Sequence, residues 1–166
     1  MVKFSVIIPV YNASGTLDKC LTSVLNQTTR DYEVIAVDDC SSDSSREIIK
    51  QYPVTLLTLE KNSGSGIARN QGANKAKGQI LVFIDSDVIV GEDWLEKIEK
   101  DFREFDIDIV SGNYGASVGK SFIELFAFFE LLLRRPSKQQ FVSSFPSNNF
   151  AIKKENFKKL NGFPIE

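Results

Sequence analysis

The sequence predicts an α/β fold, a mostly parallel sheet with helices on both faces. Three observations carry this. Apolar runs of strand length recur at Phe4 to Ile8, Tyr32 to Val37, Val54 to Leu59 and Leu81 to Ile84. Segments with helical spacing separate them. The connections are short, which favours right-handed crossovers between parallel neighbours. At 166 residues, 42% hydrophobic and 25% charged, the chain has the composition of a single globular domain.

Each element has its own signal. Phe4 to Ile8 is continuously apolar, as in a strand buried on both faces, and Pro9 is expected to end it. Leu17, Cys20, Leu21, Val24 and Leu25 recur at helical spacing. Ser44-Ser-Arg-Glu47 reads as a capping box opening a helix that Pro53 closes. Gly66 to Lys77 reads as a helix, with Gly78 placed for a left-handed cap. A helix from about Asp93 to Phe105 precedes a fifth strand at Ile107 to Val110. Asn149 to Ile152 reads as a further strand. Lys154 to Leu160 reads as a short helix stopped by Asn161-Gly162.

Composition excludes several chemistries. Histidine is absent, so Ser-His-Asp and Cys-His mechanisms and imidazole-dependent zinc sites are ruled out. Acid–base work falls to carboxylates or to an oxygen-bound metal. Twenty basic against 22 acidic residues give a net charge of −2, with no basic excess to suggest nucleic acid. Cys20 and Cys40 lack metal-ligand spacing and read as free thiols in a reducing compartment. The expected location is the cytoplasm, including the inner face of a membrane. Met1-Val-Lys3 runs straight into a strand without a cleavage site, so no signal peptide is expected. No apolar run approaches the roughly 20 residues of a membrane span.

In parallel sheets ligands bind beyond the carboxyl ends of the strands. Four candidate segments lie there. Asp85-Ser-Asp87 follows an apolar strand, and residues two apart on an extended chain point the same way. Asp85 and Asp87 are therefore candidate ligands of one Mg²⁺ or Mn²⁺ shared with phosphates, against the plainer reading of a solvated acidic turn. Asp38 and Asp39 follow the second strand. A carboxylate there can accept the ring N–H of a uracil or guanine edge, and Asp43 or Ser44 accounts for capping of the next helix. Asn62 to Asn70 opens a helix whose N-terminus favours an anion. Arg69, one turn in, can reach a diphosphate or brace Asp85. The glycines there make only a weak dinucleotide fingerprint, because they follow the third strand. Pro9 and Tyr11 stand at the mouth of the first strand, where a tyrosine either stacks on a base or packs in the core.

In order and spacing these segments resemble the family 2 glycosyltransferases. The residues that carry the resemblance are Ser5-Val-Ile-Ile-Pro-Val-Tyr-Asn12, Leu25-Asn-Gln-Thr28, Glu33 to Asp43, Asn62 to Asn70, Ala76-Lys-Gly78 and Phe83-Ile-Asp-Ser-Asp87. It covers residues 3 to 115 strongly and is visible again from Asn148 to Glu166. It implies the GT-A fold and an inverting transfer from a nucleotide-sugar donor, UDP-linked by expectation, to a glycan or lipid-linked acceptor. It implies that Pro9 and Tyr11 line the base pocket and that Asp39 accepts from the base, with Asp38 supporting. Arg69 and Asn70 then belong to the nucleotide-side loop, Asp85 approaches ribose and metal, and Asp87 binds Mn²⁺ or Mg²⁺ directly. Residues 1–115 would form the sugar-nucleotide half, and 116–166 an incomplete acceptor-side segment of the same domain.

The family's general base lies a little beyond the Gly-Phe segment, in a Glu-Asp-like pair. The resemblance therefore places it beyond Glu166 and implies a C-terminally truncated domain that binds donor and metal but transfers poorly alone. Asp106 and Asp108 flank a strand and are poor substitutes. Two rival readings are a noncatalytic sugar-nucleotide-binding module and a sugar-phosphate nucleotidyltransferase. The latter needs a glycine-rich loop directly after the first strand, where only Gly15 is found. Most of the 13 phenylalanines fall between Phe122 and Phe163. Ser121 to Arg135, apolar almost all round, reads as a buried helix, a homodimer contact, or a peripheral membrane segment with Arg134 and Arg135 at phosphates.

Overall fold

The computed structural model describes residues 2–105, 107–111 and 149–164. Asp106, Glu166 and the segment Ser121 to Arg135 lie outside them. In chain order the elements are β1 (Phe4–Val10), α1 (Leu17–Leu25), β2 (Tyr32–Asp38), α2 (Ser45–Ile49), β3 (Thr55–Thr58), α3 (Ser65–Lys75), β4 (Ile80–Ile84), α4 (Trp94–Glu104), β5 (Ile109–Ser111), β6 (Asn149–Lys153) and α5 (Lys154–Lys159). The strands form one sheet in the order β3-β2-β1-β4-β6-β5. β3, β2, β1 and β4 are parallel neighbours, and β6 runs antiparallel to both β4 and β5. This is the mostly parallel, doubly covered sheet that the apolar runs predict.

Alternation along the strands divides the core into two layers. Phe4, Val6, Ile8 and Val10 point to the face covered by Leu17, Cys20, Leu21 and Val24 of α1 and by Leu95 and Ile98 of α4. Ile7, Ile35, Val37, Leu81 and Phe83 point to the other face, against Ala68 and Ala73 of α3 and Phe157 of α5. β1, β4 and most of β2 are buried on both sides, hence their largely apolar runs, while β3 and β5 at the sheet edges stay partly exposed.

Three local expectations need correction. β1 does not end at Pro9 but continues to Val10. The carbonyl of Val10 accepts the Asp39 N–H on the β2 side, so Pro9 turns its nitrogen toward β4. Pairing with β4 has already stopped at Ile7 and Phe83, and no ladder bond is lost. Gly78 does not cap α3 in a left-handed conformation, since α3 ends at an extended Ala76. Gly78 is required for a close approach instead: a Cβ there would lie 2.6 Å from the Phe4 carbonyl carbon and the Ser5 nitrogen. The capping box at Ser44 is not formed. The Asp43 carboxylate caps α2 through the Ser45 N–H at 3.0 Å, and its other oxygen accepts the Ser14 N–H at 2.9 Å.

Two tests follow from these contacts. Gly78→Ala must push backbone against backbone and is expected to cost roughly 1–3 kcal/mol. Gly15→Ala, where nothing lies within 4 Å of the new methyl, is expected to stay within about 0.5 kcal/mol of the parent. Equal urea midpoints for the two variants would refute the close-approach argument. For Asp43, partial desolvation raises the carboxyl pKa, but hydrogen bonds from Ser45 and Ser14 outweigh it and hold the group well below the usual carboxylate range. A depressed folded pKa gives stability that is fully present above the unfolded value of about 3.9. That stability is lost as pH falls through the folded value. The stability gap between the parent and Asp43→Asn should therefore be widest near neutrality and narrow below about pH 4.

Candidate functional site

The strand order reverses at β1. From β1 the chain builds outward to β2 and β3, then crosses back through α3 to place β4 on the other side of β1. The loops after β1 and β4 therefore diverge and leave a crevice at the carboxyl ends of the strands. A cleft of about 430 Å³ occupies this place, its walls taken from the β1 loop, the β2 end, α3 and the β4 loop.

The structure brings together most of the residues singled out in the sequence. Pro9, Tyr11, Asp39, Arg69, Asp85 and Asp87 all line the cleft. Tyr11 is 51% exposed and so presents its ring to the cleft rather than to the core. Asp39 is buried. Its Oδ1 accepts the Ser63 N–H and its Oδ2 the Gly64 N–H, both at 2.8 Å. One carboxylate thus fixes the loop that opens α3 and keeps lone pairs for a ligand donor. Gly64, at φ +88°, supplies the left-handed turn into the helix.

Arg69 is buried, and it donates to Asp85 Oδ1 at 2.6 Å and to Ser65 Oγ at 3.1 Å. Its Nε has no partner among the described residues. Asp85 is about one-third exposed and Asp87 is exposed. Together they offer hard oxygen donors of the kind Mg²⁺ and Mn²⁺ prefer. Among the described residues no cluster of three or more acidic or thiol groups could hold an ion by itself. The donor set therefore fits a cation that completes its coordination with phosphate oxygens and water, not an all-protein cage.

Two predicted site residues do not reach the cleft. Asp38 is fully buried, with Oδ1 accepting the Ser41 N–H at 3.1 Å. Its Oδ2 takes the Arg46 guanidinium through Nε at 2.9 Å and a terminal nitrogen at 2.7 Å. The repulsion between adjacent carboxylates is relieved because each has its own donors. Asn70 turns away from the cleft to pair with the backbone of Phe163.

Other residues shape the site without having been singled out for it. Asn12, left-handed at φ +48°, accepts the Ser42 N–H at 2.8 Å and ties the β1 loop to the β2 loop. The Gln27 amide donates to the Gly91 carbonyl at 2.8 Å and accepts the Leu95 N–H at 3.1 Å, pinning the β4 loop to α1. Such roles depend on partners 30 residues away for Asn12 and 64 and 68 residues away for Gln27, and they leave no local signal. Cys20 donates to the Asp85 carbonyl at 3.5 Å. Burial first, then the charges of Asp87 and Asp85, push its thiol up to about 12. It is a protonated prop beneath the acidic turn, and both cysteines are free.

Comparison with known proteins places this arrangement. The chain is 39% identical over 116 residues to glycosyltransferase GlyA of Streptococcus pneumoniae, a match that covers 68% of this chain and 17% of that protein. The structure superposes on Staphylococcus aureus TarS in complex with UDP-GlcNAc with a TM-score of 0.74 and 25% identity, covering 98% of this chain and 48% of that one. The mannosyltransferase PcManGT from Pyrobaculum calidifontis, in complex with GDP-Man and Mn²⁺, gives a TM-score of 0.79 and 25% identity over 99% of this chain and 48% of that one. The chain thus spans about half the length of these solved structures, and less of GlyA. The fold is GT-A, like that of these structural neighbours. Residues 5–160 match the family model for glycosyl transferase family 2, and the chain belongs to that family.

Proposed function

We propose that the cleft binds a nucleoside diphosphate sugar, UDP-linked, together with Mn²⁺ or Mg²⁺, for inverting transfer to a glycan or lipid-linked acceptor. The observation that carries this reading is the convergence of Asp39, Arg69, Asp85 and Asp87 on one crevice at the strand-order reversal. The neighbours' UDP-GlcNAc and GDP-Man complexes support a nucleotide-sugar donor, and the Mn²⁺ in one of them supports a divalent cation.

Each residue has a role in this reading. Tyr11 stacks on the base, and Asp39 accepts its ring N–H with the lone pairs the loop amides leave unused. Asp38 holds the turn that aims Asp39. The N-terminus of α3 has no acidic residue in its first turn and presents positive backbone dipole to the diphosphate. Asp85 and Asp87 hold the cation, with Arg69 fixing the Asp85 rotamer. The bound ion would stabilise negative charge on the departing nucleoside diphosphate. All three cleft carboxylates thus serve the donor side, and the base that deprotonates the acceptor is assigned to none of the described residues. Residues 1–115 form the donor half in this proposal, and 116–166 contribute to the acceptor side. Membership of β6 in the same sheet supports a single domain.

Calorimetric titration with UDP in the presence and absence of Mn²⁺ tests the reading. Binding should need the ion and be abolished by EDTA. Asp87→Asn should weaken Mn²⁺-dependent UDP binding about tenfold or more, a loss of at least about 1.4 kcal/mol. Equal UDP affinity with Mn²⁺ and with EDTA sinks the metal assignment, and no UDP binding under either condition sinks the donor.

A further inference from the structure

We propose that Asn70 and Phe163, 93 residues apart, are positioning residues of the donor site that hold the Arg69 guanidinium against Asp85. The inference rests on the reading of the cleft as a donor site and adds to it the support on which nucleotide affinity depends.

The first turns of α3 face two ways. Ser65 and Arg69 line the cleft, while Gly66 and Asn70 meet the chain at Gly162 to Pro164. The Asn70 amide pairs with both backbone groups of Phe163. Its Nδ2 donates to the carbonyl at 3.0 Å, and its Oδ1 accepts the N–H at 2.9 Å. This clamp needs glycine beside it: Gly162 sits at φ +75°, and a Cβ there would come 2.5 Å from Asn70 Oδ1. α3 lies directly against the same segment at Gly66, where a Cβ would meet the Phe163 Cβ at 3.6 Å, an ordinary contact.

Held this way, the Phe163 ring is fixed on two fronts. It meets Phe83 edge-on with centroids 5.3 Å apart, and it also packs against Phe150 and Phe157. The Arg69 guanidinium carbon lies 5.3 Å from the ring centroid. The buried guanidinium is bonded to Asp85 and Ser65 but has no partner at Nε among the described residues. The aromatic face supplies the remaining constraint and a favourable cation–π contact. The support runs from Asn70 to Phe163 to Arg69 to Asp85. Loss of the ring frees the guanidinium, and Asp85 loses its fixed rotamer.

The test compares Phe163→Leu, which keeps apolar bulk but removes the π face, with Phe163→Tyr, which keeps the face. Three readouts are taken: UDP affinity with Mn²⁺, thermal stability, and the side-chain nitrogen NMR signals of Arg69 without nucleotide. Phe163→Leu should weaken UDP binding about three- to tenfold and average the Arg69 signals, while lost aromatic packing lowers the melting temperature by roughly a few degrees. Phe163→Tyr should restore both. Asn70→Ala should act as Phe163→Leu does. In an Arg69→Lys background, Phe163→Leu should cause a smaller loss than in the parent. Parent-like affinity and ordered Arg69 signals in Phe163→Leu overturn the proposal. So does an affinity loss that is undiminished in the Arg69→Lys background, which would mark a merely structural role. If the parent itself binds no UDP with Mn²⁺, the donor-site reading falls. The nucleotide-free Arg69 signals then still report whether Phe163 orders that side chain.

Discussion

A guanidinium taken out of water needs acceptors, and the placement of Arg69 organises the cleft around that need. It lies at the end of the first turn of α3, is buried and reaches the strand-end carboxylate of Asp85. One partner of this pair is buried and the other opens to the cleft, so the pair is sheltered on one side and hydrated on the other. The consequences spread outward. α3 must lie tight on β1 and β2, which Gly72 permits, since a Cβ there would come 2.5 Å from an Ile7 methyl carbon. The acidic turn after β4 must stay close to α3, and Cys20 and Gln27 hold it from below and behind.

The second organising feature is the separation of work between neighbouring carboxylates. Asp38 and Asp39 adjoin in sequence but leave the strand in opposite directions. Asp38 turns into the interior and is neutralised by Arg46. Asp39 turns toward the cleft and is satisfied by two loop amides. Asp85 and Asp87 share a turn, with Asp85 tied to Arg69 and Asp87 left to solvent. In each pair one acid shapes the site and the other is available to it.

Much of this was legible in the residues. The unbroken apolar runs gave the strands because both faces of the sheet are covered. Pro9, Tyr11, Asp39, Arg69, Asp85 and Asp87 could be located because strand ends in parallel sheets converge on one edge. What misled was chemistry with two local explanations. Gly78 after a helix suits a left-handed cap, yet its real constraint is the backbone of Phe4 and Ser5. Ser44 with Glu47 matches a capping box, yet Asp43, one residue earlier, carries charge and takes the Ser45 N–H. Asn70 adjoins Arg69 and reads as part of the same loop, but on a helix adjacent residues face about 100° apart.

The sequence by itself determined the succession of strands and helices along the chain and the set of acidic groups at the strand ends. These follow from hydrophobic periodicity and residue type, which act over a few residues. Only the tertiary structure decided which of those groups meet. The clamp of Asn70 on Phe163, the pinning of Gly91 by Gln27 and the burial of Asp38 beneath Arg46 all arise from how packed layers are brought together. A side chain's partner across such a contact is set by the geometry of the sheet and its crossovers, and residue spacing along the chain carries no record of it.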